Sequence, residues 1–255
     1  MSNVGLRFQD IDDRTEELRT LSEQHPDLWR DFLNKYELSL LYHENALEGI
    51  VVTHAELNSA LKGRPIAIDT YHAIRNLKRA CNHVRREAAT TAGPVDTTFV
   101  SKVHGMLCEG AEQGDVFRRI IPLHRTYFHE IAHPDVIEAR FRRLLDWSVA
   151  ADPSDEDVVR FAAHFHHEFM SIFPFAEHTG KVGRLLVNYV LVRHGYMPVV
   201  FHASERQRYY DVLRHGPKDM EGFLSEMMAN SIENGRSFIA KELAEREKAA
   251  ARKLA

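Results

Sequence analysis

The stretch from His166 to Leu186 reads HHEFMSIFPFAEHTGKVGRLL, and its reading decides the rest. It divides into helix, tight loop and helix. Phe169 and Ile172 continue an apolar face, Pro174 stops that helix, and a second helix begins around Thr179-Gly180 with Val182, Leu185 and Leu186 on its apolar side. Lys181 and Arg184 lie one turn apart on the same face of the second helix. Unpaired N–H groups at a helix start attract anions, and the helix dipole adds to the attraction. A glycine at position 180 lets a phosphate approach the backbone, and Lys181 and Arg184 can add charge-assisted hydrogen bonds to its oxygens. Glu177, just ahead of the helix, is placed to hold a magnesium ion that bridges those oxygens. A basic helix after a loop also arises without any ligand, and these features alone leave both readings open.

Outward from this loop the chain reads as helix throughout. Apolar residues recur at three and four from about Arg14 to Glu44, interrupted by Pro26, which predicts two helices. Thr53 and Glu56 form a capping-box pattern for a third helix that Gly63 closes. Further helices are predicted at about 70–89, 96–108 and 135–151, from a cap at Ser154 and Asp157 to Ser171, at about 203–214, and from Lys218 to the end. The segment near 112–128, with Gly110 just ahead of it and Gly114 followed by Phe117, Ile120 and Ile121, is the one hairpin-like stretch. The expected architecture is all-α with a small β-hairpin flap. It makes one compact domain, in which 1–92 is an N-terminal helical region, 93–215 the core and 216–255 a C-terminal helical extension.

Composition narrows the function classes. The 255 residues carry 33 Lys and Arg against 37 Asp and Glu, a formal charge of −4, so a basic nucleic-acid footprint is not expected. Hydrophobic residues at 44% and charged residues at 27% are ordinary globular usage, which argues against disorder. No stretch approaches the ~18 apolar residues of a membrane helix, and the first residues lack a secretory pattern. Cys81 and Cys108 are too few for a disulfide framework. A cytoplasmic protein with reduced thiols is the expectation.

The quoted loop resembles the signature of the Fic (Fido) family, His-Pro-Phe-x-Asp/Glu-Gly-Asn-Gly-Arg-x-x-Arg. His166, Phe169 and Ile172 match the preceding helix, and Gly195-Tyr196-Met197-Pro198 matches the turn after the following one. Gly114-Asp115-Val116-Phe117-Arg118 looks like the family's flap, so residues 114–126 are where a target protein would align. The resemblance implies an all-helical fold, ATP with Mg2+ or another nucleotide or phosphate ligand at the loop, and AMP transfer to a hydroxyl of a target protein. It places Thr179, Gly180, Lys181 and Arg184 on the phosphates and Glu177 on the metal. Tyr42-His43-Glu44-Asn45-Ala46-Leu47-Glu48-Gly49 is similar to the family's inhibitory helix, Ser/Thr-x-x-x-Glu-Gly/Asn. Glu48 then takes the place of the glutamate that pairs with the loop's second arginine, Arg184, while Glu44 stands where Ser or Thr is usual. The plain alternative is that Glu48-Gly49 merely ends a helix.

The departures carry as much information as the matches. The family's general base is a histidine at the position of Phe173, and phenylalanine cannot accept a proton. Loss of a positioned base typically costs about 10²–10⁴ in rate. His178 replaces the first family glycine, Thr179 the asparagine and Lys181 the first arginine. Lysine keeps the charge but not the two-pronged grip of a guanidinium. His178 is a candidate substitute base, although it lies five residues beyond Phe173; the alternative is that its bulk crowds the phosphate cradle. The expectation is a nucleotide- or phosphate-binding cleft with standard AMP transfer lost or altered, acting in regulation or in another transfer or lysis on a phosphorylated molecule. The alternative is a weakly active protein adenylyltransferase restrained by Glu48. A third reading puts zinc on His164 and His167 with His178 or Glu177.

Overall fold

The computed structural model describes residues 4–90, 93–108, 117–122, 129–151 and 158–254. In chain order the helices are α1 (Val4–Gln24), α2 (Pro26–Leu47), α3 (His54–Leu61), α4 (Ile68–Thr90), α5 (Thr97–Leu107), α6 (Pro134–Ala150), α7 (Val158–Ile172), α8 (Thr179–Arg193), a 3₁₀ turn (Ala203–Glu205), α9 (Arg206–His215) and α10 (Pro217–Leu254). Local signals set most of these bounds. Pro26 opens α2 at its first turn, where a missing N–H costs nothing. Thr53 accepts the Glu56 N–H at 3.2 Å while Glu56 accepts the Thr53 N–H at 2.8 Å, the reciprocal box read from sequence. Asp96 caps α5 by accepting the Phe99 N–H at 2.6 Å.

There is no strand among the described residues. Residues 117–122 of the expected flap run as bends and irregular chain, and 114–116 and 123–126 lie outside the described residues, as does the cap expected at Ser154 and Asp157. No described helix is long and apolar enough to cross a membrane.

The centre of the molecule is the pair α7 and α8. Every residue of α8 from Thr179 to Leu191 is buried, which an amphipathic surface helix cannot be, so α8 is enclosed on all sides. It packs against α7, α4 and α5, while α7 is backed by α6, α9 and α10. Asn188 fastens the chain that follows α8 by exchanging two hydrogen bonds with Val199, N–H to Oδ1 at 2.7 Å and Nδ2 to carbonyl at 3.0 Å. Gly183 lets α7 approach, since a Cβ there would lie 3.1 Å from the Phe169 ring and 3.2 Å from the His166 ring. Both rings are wholly buried and have nowhere to go.

Gly183→Ala therefore tests the close approach. Alanine gains about 1 kcal/mol of helix propensity over glycine, but overpacking typically costs 1–3 kcal/mol. With both neighbours immobile, the expected outcome is a net loss of stability of about 1 kcal/mol, read by urea unfolding; a more stable variant would show that α7 can retreat.

Candidate functional site

The signature loop leaves α7 through a strained residue. Phe173 has φ of 47°, a left-handed conformation that side chains other than glycine rarely adopt. The surroundings enforce it. Arg118, itself buried, donates through Nε to the Phe173 carbonyl at 2.7 Å, and through Nη1 to Ile120 O at 3.0 Å. Its Nη2 donates to the Ala132 carbonyl, and its backbone N–H to Pro174 O at 2.8 Å. Sequence reading placed Arg118 only in the flap; its work as the clamp of the loop depends on a partner 55 residues away. The Phe173 ring itself is buried, 6.2 Å from the His129 ring.

The loop then closes on itself. Thr179 Oγ1 donates to the Phe175 carbonyl and accepts the Phe175 N–H, both at 2.9 Å, so its hydroxyl serves the loop. The His104 ring stacks on Phe175 with centroids 3.9 Å apart, and its Nε2 donates to the Glu177 carbonyl at 3.2 Å. That leaves the Glu177 side chain exposed at the rim. His178 sits at the N-cap of α8 with left-handed φ of 62° and no side-chain cap bond. Partial burial and the nearby Lys181 charge push its imidazole down, so it is neutral at pH 7.

Lys181 and Arg184 point inward, not to solvent, each about 1% exposed. Both meet the last turn of α2. Lys181 Nζ donates to Asn45 Oδ1 at 3.0 Å, and Asn45 Nδ2 in turn donates to Leu41 O at 2.9 Å. Arg184 grips Glu44 with two nitrogens: Nε reaches both carboxylate oxygens at 3.0 and 2.9 Å, and Nη2 reaches Oε2 at 2.9 Å. The same Nη2 donates to Glu48 Oε1 at 3.0 Å. Glu48 thus reaches Arg184 as the inhibitory-helix reading expects, and Glu44, the departure from that pattern, joins it. The Glu48 oxygen lies only 2.5 Å from where a Cβ on Gly180 would stand, and Arg184 Nη1 only 2.9 Å away. Gly180 is the one residue type that fits between them.

Electrostatics follows from the burial. Desolvation pushes the Lys181 ammonium down, against the Glu48 and Glu44 charges that favour it. Burial likewise opposes the Arg184 charge, but Glu44 and Glu48 outweigh it and hold the guanidinium well above its usual value. Burial drives the Glu44 carboxyl up while Arg184 pulls it down. The two-pronged geometry, with both oxygens accepting, is that of an ionised carboxylate, and we take the pair as charged. Tyr209 completes the enclosure, its hydroxyl 2.8 Å from His166 Nε2.

One further feature escaped sequence reading. Ala203 N–H donates to His43 Nδ1 at 3.2 Å, which puts the hydrogen of the neutral ring on Nε2, where it donates to His202 Nδ1 at 3.0 Å. This pair fastens the outer side of the same α2 turn. The zinc reading is corrected: among the described residues no three His, Cys, Asp or Glu side chains are placed to hold a metal ion. His167 instead donates through Nε2 to Leu213 O at 3.1 Å, and the His164 ring packs 4.5 Å from Trp147.

Residues 94–191 match the model of the Fic/DOC family. Curated relatives include the protein adenylyltransferases Fic of Nematostella vectensis, 25% identical over 179 residues with 68% of this chain and 42% of that protein covered. That of Aedes aegypti is 24% identical over 216 residues, covering 82% and 42%. The chain thus spans about two-fifths the length of these relatives. Among solved structures, a Fic domain containing signaling protein from Bacteroides thetaiotaomicron superposes with TM-score 0.73 at 21% identity, covering 91% of this chain and 95% of that one. A stretch of Fic-1 from C. elegans gives 0.79 at 17% identity, covering 92% and 72%. IbpAFic2, solved in complex with adenylylated Cdc42, gives 0.52 at 14% identity, covering 80% and 69%. These likenesses are of fold.

Acid should loosen the fold in a defined window. Burial, with His202 nearby, lowers His43 from 6.5 to about 4, and burial, with Arg184 nearby, lowers His166 to about 3. Both rings are neutral when folded, while the unfolded chain takes their protons below about pH 6.5. Stability present above that pH is therefore lost as pH falls towards 4. His43→Gln is expected to flatten part of this slope in urea unfolding followed across the window; an unchanged slope would show that the His43–His202 contact does not titrate with folding.

Proposed function

Because the chain carries a Fic/DOC family domain, we propose that its cleft takes a nucleotide or another phosphate-bearing molecule while ordinary AMP transfer is lost or altered. In that transfer a target hydroxyl oxygen bonds to the α-phosphorus of ATP, the bond to pyrophosphate breaks, and the hydroxyl proton needs an acceptor. The observation that carries the reading is Phe173, a buried hydrocarbon ring at the position of the family's base. Charge stabilisation has its parts in the start of α8, with the backbone of Thr179 and Gly180, and in Lys181 and Arg184. Proton removal has no residue there. His178 is the remaining candidate: it is neutral at pH 7 and lies on the same loop.

Magnesium fits this loop only together with phosphate oxygens. Glu177 offers one exposed carboxylate, and sites of this kind use one or two carboxylates plus substrate phosphate. Bound there, the ion would neutralise charge on those oxygens. A protein target is supported by relatives named protein adenylyltransferases and by the complex of IbpAFic2 with an adenylylated protein. Ile120, 73% exposed beside the loop clamp, offers an apolar contact for such a target within the 114–126 segment.

A second reading rests on Glu48. Its 3.0 Å contact with Arg184, together with its seat on Gly180, is what a restrained, weakly active adenylyltransferase needs.

Incubation with magnesium and ATP labelled on the α-phosphate separates the two. Under the first reading Glu48→Gly stays at background, and adding Phe173→His with Lys181→Arg raises incorporation by about 10²–10⁴. Label from Glu48→Gly alone would favour the second reading, and its loss on further changing His178→Ala would identify the base.

A further inference from the structure

Glu44 changes what the cleft can hold. Four charged side chains meet where α2 ends and α8 begins: Lys181, Arg184, Glu44 and Glu48. They sum to 2 − 2 = 0, and the polar groups around them, Asn45, Tyr209 and His166, are neutral. The two carboxylates are not equivalent. Glu48 is the C-cap of α2, at the end of the helix, and its side chain is 10% exposed. Glu44 lies a full turn inside α2, its side chain is 3% exposed, and it takes the Nε and Nη2 side of Arg184 with both oxygens. Helix termini fray before helix bodies do. Loosening of the end of α2 would therefore release Glu48 before Glu44.

We infer that Glu44 sets the ligand class of the cleft, keeping one side of Arg184 for itself so that the site takes a single phosphate group in place of the Glu48 carboxylate. This rests on the anion-cleft reading above. With Glu48 withdrawn, the three remaining charges sum to 2 − 1 = +1, and the start of α8 adds roughly half a charge. A phosphate monoester brings roughly −1.5 to −2 at neutral pH, a close complement. One carboxylate oxygen now rests against Gly180 and beside Arg184 Nη1, the place a phosphate oxygen would take. A second and third phosphate find no further guanidinium side, because Glu44 holds it, and they bring their charge towards a buried carboxylate.

The test is calorimetric titration of the full chain and its Glu48→Gly variant with inorganic phosphate, AMP, and ATP with and without magnesium. Glu48→Gly is expected to bind AMP at least about tenfold tighter than the parent chain, to bind inorganic phosphate measurably, and to bind ATP within about threefold of AMP. In Glu44→Gln/Glu48→Gly, ATP should gain about tenfold over AMP. Tighter ATP than AMP by tenfold or more in Glu48→Gly would overturn the role of Glu44 and leave the anion cleft standing. Absence of binding by every phosphate compound to Glu48→Gly would remove the cleft reading and this inference with it. Should the double variant not fold, by near-ultraviolet circular dichroism, the ATP-to-AMP ratio in Glu48→Gly decides alone.

Discussion

The contact between the last turn of α2 and the first turn of α8 joins two helix ends that each carry the wrong charge. Carboxylates at a helix C-terminus and cations at an N-terminus both oppose the helix dipole. Here Glu44 and Glu48 sit at the negative end of α2, and Lys181 and Arg184 at the positive end of α8. Each end is tolerable only because the other lies against it. The arrangement is also buried, and a buried pair stabilises little on its own account, whereas breaking one by removing a single partner typically costs about 3–5 kcal/mol. The cluster is therefore better understood as fixing where α2 lies than as a source of net stability.

The loop between α7 and α8 answers to a different constraint. Phe173 holds a backbone shape that usually costs about 1–3 kcal/mol, and it persists because Arg118 occupies the carbonyl and the ring fills the core. Strain of this kind at the head of a signature loop is where chemistry is commonly housed. In this chain the strained position is filled by a buried phenylalanine ring, which cannot accept a proton.

Much of the helical framework was legible because its signals are local: apolar spacing, the Thr53–Glu56 box, the Asp96 cap and the proline and glycine stops all act within four residues. The candidate loop was legible for the same reason, being a continuous motif. What sequence reading missed were contacts that the fold creates between distant segments. Glu44 and Arg184 are 140 residues apart, Asn45 and Lys181 136, and Arg118 and Phe173 55. Nothing in the local pattern says that Thr179 spends its hydroxyl on Phe175, or that His43 and His202 meet. The hairpin expectation leaned on a few β-branched residues after Gly110 and Gly114, a weak signal, and the described part of that segment runs without a strand.

The face of α2 that bears Phe32, Tyr36, Leu40 and Leu41 belongs to the hydrophobic core, and the same helix delivers Glu44 and Glu48 to Arg184. The stopper and the keel are one piece of chain. Such a stopper cannot be shed by clipping or by deleting an appendage without taking the keel along. Were the cleft to take a ligand as proposed, that ligand would compete with a segment that is present at unit stoichiometry and never diffuses away.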